Sequence, residues 1–206
     1  KAVTDFYRKT YELTGQKIWF TVGQPRKPLT NAQWSELQGT LSGPLAGMVD
    51  LASGWNEPNH VRGGGTLPSN WAQMTADHQA RLWDIAHPLG IRVGTPQLWS
   101  GKMATHDADL AKLAPLIAGK HDTTAWHLYP RGTVGKDWVD KFTTTYQRVL
   151  GTRPVACTEA GYFTGDAGST GANPVTEAEQ AAYWPQHIRL YTDKGWAISI
   201  FELLDD

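Results

Sequence analysis

GMVDLASGWNEPNH, residues 47–60, is the stretch on which the reading of this chain turns. Its first half is apolar and rich in small residues, the pattern of a strand buried on both faces. Its second half sets Trp55, Asn56 and Glu57 in a row and closes on Pro58, which cannot continue a strand ladder. An ionisable glutamate therefore stands where a buried strand ends.

The same grammar repeats on both sides of it. KIWFTVG (17–23), IRVGTPQLW (91–99), TTAWHLY (123–129), RPVACTEAG (153–161) and WAISIFEL (196–203) read as further buried strands. Amphipathic stretches separate them. DFYRKTYELTG precedes the first strand, and Thr30 with Gln33 has capping-box spacing for a helix running toward Gly39. Asn70 with Gln73 repeats that spacing and opens a helix stopped at His87-Pro88 and Gly90. Helices over about 107–118 and 138–150 follow, and Thr176 with Glu179 caps one that reaches Thr192. Strands alternating with helices of this length predict a parallel α/β sheet in a single domain over 1–206.

Two architectures fit that alternation, an open doubly wound sheet and a closed (β/α)8 barrel. No G-x-G-x-x-G follows a strand, so the dinucleotide-binding fingerprint is absent. Polar residues gather instead at the ends of several strands: Gln24, Asn56, Glu57, Gln97, His127, Tyr129, Glu159 and Glu202. A barrel collects its functional residues at the C-terminal ends of many strands, and this favours the barrel. Six strands are legible where a barrel has eight, so the expectation is a TIM barrel whose first two β/α units are not in this sequence.

Composition narrows the chemistry. The 206 residues are 40% hydrophobic and 19% charged, with a formal net charge of −1. Near-neutrality without a Lys/Arg run leaves no footprint for nucleic acid or an anionic membrane, and no apolar run reaches the roughly 20 residues of a membrane span. The opening KAVTDFYRKT lacks the apolar region of a signal peptide, which does not exclude secretion of a processed chain. Cys157 is the only cysteine, so an internal disulfide and a Cys-based zinc site are ruled out; its expected role is packing. The seven histidines are dispersed and show no H-E-x-x-H, which disfavours a metal hydrolase, and no cofactor is expected. Ten tryptophans are many for this length. Most belong to the core. Trp55, Trp99 and Trp126, however, sit beside polar residues at strand ends, where exposed rings would suit the apolar faces of sugars. His60 either lines the same mouth or is a solvated loop histidine.

Glu57 and Glu159 lie three β/α units apart, which sets them across a barrel mouth from each other. Two carboxylates facing over a cleft are the machinery of glycoside hydrolysis, one protonated and one ionised. Aldolase or isomerase chemistry would want a strand-end lysine or a phosphate-binding loop, and neither is evident.

In these motifs the chain resembles the retaining glycoside hydrolases of clan A, the large (β/α)8 superfamily of β-glucanases, mannanases, xylosidases and relatives. WNEPN (55–59) matches the strand-4 acid/base motif of that clan, CTEAG (157–161) its strand-7 nucleophile, and WHLYP (126–130) its strand-6 His-x-Tyr. The resemblance implies a cofactor-free glycosidase with Glu57 as acid/base, Glu159 as nucleophile, and Asn56 on the 2-hydroxyl of the sugar. It further implies that Tyr129 holds Glu159 ionised, beside His127, and that the carboxyls stand about 5 to 5.5 Å apart. The tryptophan usual on strand 8 is missing; Phe201 or Glu202 stands there for sugar contact. The implied partner is a poly- or oligosaccharide, the implied location secreted or cell-envelope. The competing expectation is an inactive carbohydrate-binding module of the same descent.

Overall fold

Six parallel strands alternate with six α-helices in the computed structural model, which describes residues 2–23, 27–61, 66–99, 103–130, 133–162 and 175–200. The order is α1 (Ala2–Thr14), β1 (Ile18–Thr21), α2 (Asn31–Ser42), β2 (Val49–Ser53), α3 (Trp71–Ala86) and β3 (Arg92–Gly94). There follow α4 (Met103–Leu113), β4 (Thr124–Leu128), α5 (Lys136–Leu150), β5 (Val155–Ala160), α6 (Glu177–Thr192) and β6 (Ala197–Ile200). Gln24, Phe201 and Glu202 lie outside the described residues.

The helix boundaries follow local chemistry. Thr30 and Thr176 each make the reciprocal capping box that their spacing predicts. Asn70 does not: its backbone sits at φ −97°, ψ 16°, and its side chain makes no capping bond. An N-cap needs extended backbone to turn its side chain onto the first turn, and Asn70 lacks it. The helix predicted over 107–118 begins earlier, at Met103, and loses its α-form at Leu113, giving way to a 3-10 turn over Ala114–Leu116. Pro115 has no N–H to continue the ladder. His87–Leu89 form a similar turn before Gly90, whose φ of 74° reverses the chain.

Strands β1-β2-β3 and β4-β5-β6 form two parallel sheets. They are joined at one seam. Gly94 bridges Thr123 in parallel, and the Thr95 N–H donates to the Thr123 carbonyl at 3.0 Å. The Thr95 hydroxyl donates to the Ala125 carbonyl and accepts from the Ala125 N–H, at 3.0 and 2.9 Å, standing in for the missing ladder rungs. Every connection thus steps to the next strand in one direction. A doubly wound sheet reverses its order, so that alternative is excluded. Trp19, Phe20, Thr21, Leu51 and Ser53 of the first sheet share a cavity of about 80 Å³ with Thr158 and Ser199 of the second. The wall therefore curves, and its inner face is where strand ends converge.

Two apolar clusters fasten the helices to this wall. Val22, Trp34, Leu41, Val49, Leu82, Ile85 and Val93 bury α2 and α3 on the first sheet. Trp126, Phe142, Tyr146, Cys157, Trp184 and Tyr191 bury α5 and α6 on the second, with the Trp126 indole N–H donating to the Tyr191 hydroxyl at 3.2 Å. Gly54 is required by contact. A Cβ on Gly54 would stand 2.5 Å from Gln79 Oε1. Gln79 is buried and cannot yield, because its amide donates to the carbonyls of Gly94 and Lys120 at 2.9 and 2.8 Å. Gly54→Ala is expected to cost about 1–3 kcal/mol of stability, read from urea unfolding midpoints at unchanged slope.

Candidate active site

Glu57 reaches the mouth of the wall through a strained turn. Beyond β2, Asn56 bridges Gln97 in parallel and the Glu57 N–H donates to the Gln97 carbonyl at 2.8 Å. Gln97, itself fully buried, donates through its amide to the Ser53 hydroxyl. Glu57 then adopts φ 47°, the only left-handed non-glycine among the described residues. That conformation costs on the order of 1–3 kcal/mol and persists only where its surroundings enforce it. The His60 N–H closes the turn on the Glu57 carbonyl at 2.9 Å. Pro58 ends the ladder at this point, as its lack of an N–H requires.

A β-bulge aims the second carboxylate. On the β4–β5 ladder Trp126 pairs with Cys157, while His127 pairs with Glu159, so Thr158 is the extra residue. Consecutive residues of β4 face opposite sides. Trp126 therefore points into the helix layer and His127 inward, and the bulge lets Cys157 and Glu159 do the same although they are two apart. Simple alternation would set Cys157 on the side of Glu159; the bulge separates them. Cys157 is buried in the core, and burial pushes its thiol up to about 12, which leaves it a packing residue.

Three side chains meet where these strands end. His127 Nδ1 lies 3.5 Å from Glu57 Oε1 and 3.4 Å from Glu159 Oε2. Those two legs bring the carboxylate oxygens within about 7 Å of each other, which spans the retaining spacing and excludes the wider part of the inverting range. The Tyr129 hydroxyl donates to Glu159 Oε2 at 2.9 Å. His60 Nδ1 lies 3.0 Å from Glu57 Oε2. Burial pushes the Glu57 carboxyl upward, but hydrogen bonds and charge from His127, then from His60, outweigh it and hold the group below the usual glutamate value. Asn56 Oδ1 is buried and has no hydrogen-bond partner among the described residues.

The tryptophans divide. Trp55 is 1% exposed and packs on His78 at 4.8 Å, and Trp126 is fully buried in the second core cluster. Neither presents a ring to a cleft, contrary to expectation: both strand-end indoles turn toward the helices, where the apolar area is. Trp99 is half-buried and its ring lies flat on His60, with centroids 4.6 Å apart and planes within 4°. His60 is the residue that sequence left undecided. Its signal was a histidine three positions past a strand-end glutamate, a spacing that a turn folds into contact.

No family profile and no curated protein sequence matches the chain. Solved structures do match in shape. An endo-β-1,3-glucanase of GH128 subgroup II from Sorangium cellulosum superposes with a TM-score of 0.68 at 17% identity, over 95% of this chain and 73% of that one. A fungal β-1,4-galactanase gives 0.69 at 14% identity, over 97% and 71%. A GH128 subgroup I endo-β-1,3-glucanase from Amycolatopsis mediterranei, solved as a mutant with laminaripentaose, gives 0.62 at 18% identity, over 91% and 72%. The likeness is one of fold: the chain superposes on part of each of these glycoside-cleaving enzymes. Among the described residues no cluster of three His, Cys, Asp or Glu side chains is placed to hold a metal ion.

Proposed function

We propose that this chain is a retaining glycoside hydrolase acting on a β-linked poly- or oligosaccharide, with its six strands corresponding to strands 3 to 8 of a clan A barrel. The observation that carries the reading is the convergence of Glu57 and Glu159 on one imidazole nitrogen, from strands three β/α units apart. Glu159 is the nucleophile. The Tyr129 hydroxyl donates to it at 2.9 Å, which fixes the carboxylate and directs its remaining lone pairs at the sugar. In the first step Glu159 attacks C1 while Glu57 gives its proton to the departing glycosidic oxygen, leaving an ester between C1 and Glu159. In the second, Glu57 takes a proton from water, the water oxygen attacks C1, and Glu159 is released. Asn56 Oδ1, buried without a partner among the described residues, accepts from a sugar hydroxyl next to the reacting carbon. Such a substrate places the enzyme outside the cell or at its envelope.

The test is a screen of β-1,3-glucan and β-1,4-galactan, the linkages named for the neighbouring folds, followed by NMR of the first-formed sugar ends. The β-anomer is expected first. The α-anomer would refute double displacement, and binding without cleavage would support the carbohydrate-binding alternative.

A further inference from the structure

The two oxygens of Glu57 have different surroundings, and one neighbour has no part in the two steps above. Oε1 lies toward His127 Nδ1, which also reaches Glu159, so Oε1 faces the gap between the carboxylates. Oε2 lies 3.0 Å from His60 Nδ1. The His60 ring is clamped flat against Trp99. Trp99 is in turn held by Asn59, whose Oδ1 accepts from the Trp99 N–H at 2.7 Å and whose amide donates to Asp109 of α4 at 2.9 Å. A half-exposed loop histidine has no need of such support.

We propose that His60 is a positioning residue for the acid proton: by donating Nδ1–H to Oε2 it leaves Oε1, the oxygen facing Glu159, to carry that proton. The inference rests on the glycosidase reading of Glu57. Protonating Oε2 would set two hydrogens against each other; His127 Nδ1 carries at most one hydrogen, and with that hydrogen directed at Glu159 Oε2, 3.4 Å away, the carboxylic acid forms at Oε1, on the side where the bond is cleaved. The groups facing Glu57 include His60 on its own loop and His127 of β4, with Glu159 of β5 and Tyr129 behind His127. Asp109 reaches His60 only through Asn59 and Trp99. His60 is among the groups that hold the Glu57 carboxyl low, as a donor to the ionised form must.

Three variants test it. His60→Phe keeps the stack on Trp99 and removes the donor; His60→Asn puts an amide N–H near the place of Nδ1; His60→Ala removes the donor without bulk, should the Phe variant not fold. In carbon-detected titration of the ligand-free protein, the Glu57 carboxyl midpoint is expected to move to higher pH in the Phe and Ala variants and to stay near the original in the Asn variant. Hydrolysis of β-1,3-glucan or β-1,4-galactan is expected to fall about 10- to 100-fold in the Phe variant, with KM little changed. A dinitrophenyl glycoside, whose leaving group needs no proton, is expected to lose less than about threefold. An unmoved Glu57 midpoint in the Phe and Ala variants, or equal losses on both substrate types, overturns the proposal. If the unaltered protein cleaves neither substrate type, the glycosidase reading fails, and the titration alone decides whether His60 governs Glu57.

Discussion

Replacing Glu159 by Gln is expected to lower polysaccharide hydrolysis at least ~10⁴-fold, the scale on which removal of a covalent nucleophile acts. The amide retains the shape of the side chain and its contact with Tyr129, but it cannot form the ester at C1. A second substitution identifies the role. Glu159→Gly opens a space on the face from which the carboxylate attacks, and azide can enter it. From a β-linked substrate the expected product is the α-glycosyl azide, read from its anomeric coupling. A β-glycosyl azide, or a Glu159→Gln variant with ordinary activity, would remove Glu159 from the nucleophile's place.

Glu57→Ala is expected to behave differently. Loss of a general acid and base costs about 10²- to 10⁴-fold on a polysaccharide, whose alkoxide leaving group must be protonated. A dinitrophenyl glycoside departs unaided, so its first step should survive, and the glycosyl-enzyme should accumulate as a burst because nothing activates water. Azide, which needs no deprotonation, then attacks the intermediate and should give the β-glycosyl azide. The pH profile carries the same assignment. His127 and His60 outweigh burial and hold the Glu57 carboxyl below its ordinary value. Its protonated fraction therefore falls as pH rises through an acidic range, and the alkaline limb of kcat/KM should lie there. In Glu57→Ala that limb should vanish. A limb that persists would belong to another group.

Much of this was readable along the chain. Pro58 and Gly161 mark strand ends whatever surrounds them, because one lacks an N–H and the other favours a turn. Thr30 and Thr176 cap their helices by contacts within three residues, so their spacing sufficed. Asn70 has the same spacing and does not cap, because the preceding turn sets its backbone. The tryptophans depart from expectation for a related reason. Trp55 and Trp126 have polar sequence neighbours, yet each side chain turns away from them onto His78 or into the cluster around Tyr191. Residue type tells how much area a ring can bury; it does not tell which face of the wall the ring meets.

What the sequence alone determined is periodicity and chemistry: strands and helices in alternation, and two glutamates at the ends of strands three units apart. These depend on hydrogen-bond pattern and local sterics, which operate over a few residues. Only the tertiary structure decided that the strands run in one unreversed order, joined at the Thr95 seam. It alone placed Thr158 as a bulge, so that Glu159 faces His127 while Cys157 does not. It alone brought His60 onto Glu57 and Trp99. Each of these depends on contacts between segments or on a backbone angle held by them, such as the φ of 47° at Glu57. A strand's period says which residues share a face, but one bulge or one left-handed residue reassigns the face, and packing from other parts of the chain enforces that choice.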